Sequence, residues 1–179
     1  MTSTSESLLA VLARAEAALP KLLFEPGWNT LDVDYHPPRV ERAWRPFEER
    51  YRLFLHCIHS CQLEEALFHP HPWPSAMRVL WGKYRMMVGS GSTVEPPPVV
   101  LDSVVTANQS ADYRYSMEHP DGWHVVVPVR HPVFTVMVTG PPWRRPIPSV
   151  TEDAKVDLKP LTPQRTGWLL AAFHRWYAE

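Results

Sequence analysis

Proline decides most of what this chain can become. Twenty of its 179 residues are proline, clustered at 70–74, 96–98 and 141–148, against only seven glycines. Each proline fixes its own φ and removes a backbone donor, so these clusters punctuate strands and keep long helices out of the middle of the chain. Helix is left to the two ends. Ser5 or Ser7 can cap a segment in which Leu8, Leu9, Leu12, Ala15 and Leu19 follow helical spacing, which should end near Pro20. At the far end Thr162 and Pro163 form an N-cap and first-turn pair, followed by an apolar stripe of Leu169, Leu170, Phe173, Trp176 and Tyr177. Both helices are expected to pack outside the domain.

Between them lie short β runs separated by turn residues, at 51–59, 76–88, 99–106, 111–117, 123–129 and 133–139. This spacing predicts an antiparallel sandwich or barrel and argues against a βαβ fold. Residues 133–139, VFTVMVT, suit a strand covered on both faces, and Gly140 with the prolines after it stops that strand. The stretch from 141 to 160 lacks periodicity and reads as a surface loop. No internal repeat and no low-complexity tract interrupts the chain.

Apolar residues make up 45% of the sequence and eight are Trp, enough for one ordinary core. The 18 basic and 19 acidic residues nearly cancel and form no stripe, so nucleic acid and anionic membrane surfaces are not expected partners. A small molecule or another protein is. The N-terminus has no positive region before its apolar part, and no stretch reaches the roughly 18 apolar residues of a membrane span, so a cytoplasmic location is the default expectation. Cys57 and Cys61 are then expected to be reduced thiols.

Nine residues are histidine, and their placement matters more than their number. His69-Pro70-His71 sets two imidazoles at i and i+2, which on an extended segment point to the same side and can converge on one ion. Prolines at 70, 72 and 74 stiffen that segment and lower the entropy cost of presenting both rings. Imidazole nitrogen suits Fe, Zn, Cu or Ni better than Mg or Ca. The alternative is a rigid proline turn with no ligand role. His56, Cys57, His59 and Cys61 raise a second zinc possibility, but opposite strand parity sends His56 and Cys57 to different faces.

The stretch FHPHPWPSAMRVLWGKY resembles the first metal motif of the cupin superfamily: His-x-His, then an acid, then a glycine. His69, His71 and Gly82 match, Ser75 stands where the acid belongs, and Leu63 replaces an upstream glycine. PDGWH at 120–124 resembles the second motif, with a turn one residue shorter and without the Asn that often follows. Together with the later VTGPPW turn, the pattern is similar to small bacterial cupin-like proteins of uncharacterised activity, over roughly residues 50–145.

The resemblance implies a mainly β fold, a cupin double-stranded β-helix or jelly-roll barrel with short N- and C-terminal helices. It places the barrel at 51–145, a helix and lead-in segment at 1–50 packed on it, and a loop and helix at 146–179. It also implies His124 as third ligand, with His119 as a substitute or a hydrogen-bond partner to a ligand. Ser75 moves the site toward three histidines, as in the Fe(II) thiol dioxygenases. The expected cofactor is one divalent transition metal ion, Fe(II) first and Zn(II) second, the latter serving a hydrolase or isomerase. A non-catalytic barrel that binds a small ligand, or a scaffold assembled through the C-terminal helix, is the other class, and homodimers are common for this architecture. Arg78 and Tyr115 are candidates for contacting substrate. Against those roles stand a salt bridge for Arg78 and cross-strand packing for Tyr115. No general base is identifiable.

Overall fold

The computed structural model describes residues 6–93, 95–107, 113–144 and 158–177. Ser7 caps α1 (Leu8–Leu22) by accepting from the Leu9 amide. The helix runs past the expected end at Pro20, because a proline near the last turn deprives only one carbonyl of its donor. Thr162 caps α2 (Pro163–Tyr177) by accepting from the Arg165 amide.

The strands are β1 (Asn29–Val33), β2 (Val40–Phe47), β3 (Tyr51–Ile58), β4 (His69–Pro70), β5 (Ser75–Trp81), β6 (Lys83–Ser90), β7 (Val99–Thr106), β8 (Arg114–Met117), β9 (Gly122–Pro128) and β10 (Val133–Thr139). They form two antiparallel sheets, one ordered β1-β2-β3-β10-β5-β8 and the other β4-β9-β6-β7. With β3 counted as first of eight, the larger sheet contains strands 1-8-3-6 and the smaller one 2-7-4-5. Apart from the fourth and fifth, which pair as a hairpin in the smaller sheet, successive strands alternate between facing sheets in the jelly-roll order, which is the fold the sequence led us to expect.

Three details depart from the sequence reading. Residues 29–47, taken as lead-in, supply two strands to the larger sheet. The run 76–88 is two strands, reversed at Gly82, whose φ of +85° lies where a side chain is strained. A Cβ there would stand 3.1 Å from the Pro132 carbonyl oxygen. Third, a bulge opposite Phe134 and Thr135 breaks the parity of β5. Met77 and Val79 stay inside the barrel, while Trp81 comes out beside Phe134 and Trp176. The irregular stretch after 141 falls largely at 145–157, outside the described residues.

Both helices cover the outer face of the larger sheet. Leu12, Ala15, Leu19, Leu169 and Phe173 pack there against Leu53, Leu55, Val136 and Val138. The opposite parity of the same strands turns Phe54, His56, Thr135 and Met137 inward, giving β10 the two buried faces that its unbroken apolar run predicted. Cys57 lies on the helix side, and both cysteines are free thiols. No described helix is long and apolar enough to cross a membrane.

Candidate metal centre

The proline-stiffened segment runs through β4, which carries His69, the register partner of His124 on β9, and continues directly into His71. Two neighbouring strands of the smaller sheet and the residue that follows one of them therefore present three imidazoles to one point. Ring centroids are 5.3 Å apart for His69 and His71, 5.1 Å for His69 and His124, and 4.4 Å for His71 and His124. One nitrogen from each ring lies within 4.8 Å of the other two, and the Nε2 atoms of His71 and His124 are 2.8 Å apart.

The protonation states suit metal ligation. Burial pushes the pKa of His69 down to about 4 and that of His124 down to about 3, and takes His71 well below the ordinary range. Neighbouring imidazoles add to the effect for His71 and His124. All three are neutral at pH 7, with lone pairs to donate. The Nδ1–H of His69 donates to the Leu67 carbonyl at 2.9 Å, which fixes the tautomer and frees Nε2 for an ion. Trp143 holds the segment from behind, its indole N–H donating to the His71 carbonyl at 3.1 Å. Nδ1 of His71 and Nδ1 of His124 are buried without a partner among the described residues, a frequent mark of a functional site. Three neutral, converging nitrogens fit a divalent transition ion.

The remaining candidates fall elsewhere. His119 is largely exposed and accepts from the Asp121 amide in its own turn, so it neither substitutes for a ligand nor supports one. Arg78 faces the helix side and bonds to Glu16 of α1 at 2.6 Å, which removes it from the barrel interior as a substrate clamp. Even strand parity sends it there, opposite to Met77. Tyr115 does face inward, but its hydroxyl sits 2.5 Å from that of Tyr84 and 3.2 Å from the Met77 sulfur, deep in the packed end. Ser75 is buried in the barrel wall.

A second cluster joins Glu41, Cys57 and His59 on the opposite face of the larger sheet. Both Glu41 oxygens are engaged by Arg165 at 2.5 Å, and His59 adds a contact at 3.1 Å. Burial and the adjacent Glu41 push the Cys57 thiol up to about 12. The doubly paired Glu41 carboxylate makes this cluster an anchor that ties α2 to the sheet.

One interior pair escaped the sequence reading. Arg42 and His56 are register partners on β2 and β3, and both project into the barrel. The signal was the alternation in VERAWRPF, where Arg42 and Trp44 share a face. It was obscured by Glu41 and Arg45 on the helix side and by Pro46.

No protein-family model matches the sequence, and no curated protein matches it. Among solved structures the chain is similar to hydroxypropylphosphonic acid epoxidase from S. wedmorenis, at 10% identity, over 63% of this chain and 55% of that one, with a TM-score of 0.48. It is similar to an RmlC-like cupin from Shewanella frigidimarina at 14% identity, over 65% of this chain and 86% of that one, with a TM-score of 0.44. For KdgF from Halomonas sp. the values are 12%, 67%, 90% and 0.45. This chain thus spans little more than half the epoxidase. The chemistry of the site rests on its own residues.

Proposed function

We propose that His69, His71 and His124 hold one divalent transition metal ion, and that the protein is a cupin-type metal enzyme acting on a small molecule. The convergence of three neutral imidazoles on one point carries this reading. Fe(II) is the preferred occupant and oxygenase-type chemistry the preferred reaction. The reason is what accompanies the histidines. Among the described residues no carboxylate joins the cluster, so no evident general base stands ready for zinc hydrolysis. The interior beyond it is packed with the largely apolar side chains of Phe54, Met77, Met137, Tyr84 and Tyr115. Bound there, Fe(II) supplies redox chemistry with dioxygen, whereas Zn(II) supplies a Lewis acid.

The chain's own contribution is to orient and to keep neutral. The Leu67 carbonyl sets one tautomer, Trp143 fixes the backbone at His71, and burial prevents protonation of all three rings at neutral pH. Elemental analysis of protein purified without added metal tests the assignment. The expected result is one equivalent of iron, lost in the His69→Ala, His71→Ala double variant while the circular dichroism of the β fold persists. Full metal retention in that variant refutes the ligand set. Zinc without oxygen uptake after iron loading replaces the oxygenase reading with the hydrolytic one. Absence of metal leaves a ligand-binding barrel.

A further inference from the structure

Arg42, His56 and Thr135 are successive register partners across β2, β3 and β10 on the inner face of the larger sheet. The Arg42 Nε–H donates to His56 Nε2 at 3.1 Å. Because that nitrogen accepts, the His56 proton sits on Nδ1, where it faces the Thr135 hydroxyl oxygen at 3.2 Å. Burial drives the His56 pKa well below its ordinary value, with the charge of Arg42 as a second cause, so the imidazole stays neutral. It holds the guanidinium in place without offsetting its charge.

The rest of that guanidinium makes no hydrogen bond to a described residue. The Phe54 ring lies 5.3 Å away, a cation–π contact. The two Nη groups donate to no described residue. No described carboxylate pairs with Arg42, since Glu41 beside it points to the opposite face and is held by Arg165. Loss of hydration lowers the Arg42 pKa to about 10, which still leaves it charged at neutral pH. It faces the barrel interior beside His56 and Phe54, and its charge is a minor cause of the lowered pKa values of His69 and His71.

We propose that Arg42 anchors the small molecule by gripping an oxyanionic group, a carboxylate in the first instance, through its two free Nη groups. The substrate class is then a small anion. A planar guanidinium pairs with a carboxylate through two parallel hydrogen bonds, and a desolvated cation without a counter-charge gains most from receiving one. Neutral imidazoles supply no competing anion, so the interior is positive before any metal binds. His56 is a positioning residue that fixes the fork through Nε and leaves both Nη groups for the ligand. This inference rests on the small-molecule reading of the site.

Propionate, with neutral propionamide as control, tests it on metal-free and on zinc-loaded protein, read by the Arg42 Nε–H resonance of nitrogen-labelled full-length chain. Propionate should shift that resonance saturably and propionamide should not. Arg42→Met should weaken propionate binding at least about tenfold, while Arg42→Lys retains part of it as a point charge. Metal content should be unchanged in both variants. Equal propionate affinity in Arg42→Met, or no saturable response in the native chain, overturns the proposal. If Arg42→Met fails to fold, the native titration and Arg42→Lys decide. Propionate binding without metal retention sinks the metal assignment alone; metal retention without propionate binding sinks this inference alone.

Discussion

Replacing Glu16 by Gln removes one negative charge at a point where four elements meet. Its carboxylate is 6% exposed and accepts from Arg78 of β5 at 2.6 Å, from Arg114 of β8 at 2.7 Å and from the Tyr177 hydroxyl of α2 at 3.1 Å. Gln keeps the length and the helix propensity but offers a single neutral acceptor. Breaking a fully buried ion pair costs about 3–5 kcal/mol. The guanidinium side chains here are each 25% exposed, so water recovers part of that and about 2–3 kcal/mol is expected. For a domain of this size that corresponds to a fall in Tm of roughly 4–12 °C. Calorimetry measures it, and a double-mutant cycle with Arg78→Met isolates the pair, with a coupling of about 1–2 kcal/mol expected. Replacing Glu16, Arg78 and Arg114 together by apolar residues should recover much of the loss, because the desolvation cost disappears with the charges. A fall in Tm under about 2 °C for Glu16→Gln would refute the view that this carboxylate ties α1 to the sheet. Unchanged metal content in Arg78→Met would accompany the expected result, since that residue faces the helices.

Acid should destabilise the metal-free protein well before its carboxylates titrate. His56, His69, His71 and His124 have lowered pKa values in the folded state, so the unfolded chain binds more protons below pH 6.5, and stability is lost as pH falls from there toward about 4. Each contributes a slope of about 1.4 kcal/mol per pH unit, measurable by urea unfolding in the presence of a chelator. A flat profile between pH 6.5 and 5 would contradict their burial as neutral rings. Gly82→Ala should cost about 1–3 kcal/mol, from the positive φ and the 3.1 Å approach to Pro132, with an unchanged Tm as the refuting result. Thiol labelling at pH 8 should be slow at Cys57 until the protein unfolds, because its pKa is pushed up to about 12, and Cys57→Ser should leave bound metal unchanged. Fast labelling in the native state would show the thiol to be exposed or ionised.

The histidine pair and the jelly-roll strands were legible because each rests on a local rule. His69 and His71 lie two residues apart on a proline-stiffened segment, and β10 reads as apolar throughout because it is covered on both faces. The strand β2 was not legible, and its chemistry explains why. A strand is recognised when one face is apolar and the other polar. In β2 the helix-facing side carries Glu41 and Arg45, neutralised by Arg165, Glu25 and the Leu22 carbonyl, while the barrel-facing side carries a guanidinium. Its partners lie more than a hundred residues away in the case of Arg165, so no window of sequence contains both halves of the pair. The same limit separates Arg78 from Arg42. Arg78 stood out because it is a cation within an apolar run, but a charge in such a run is conspicuous when it pairs across to another element, as this one does with Glu16. Arg42 is surrounded in sequence by other charges and draws no attention there. Only the alternation of the strand separates it from Glu41, its neighbour, and leaves its charge inside the barrel with no carboxylate paired to it among the described residues. The proposed ligand contact rests on that missing partner, which becomes visible once the strands are paired.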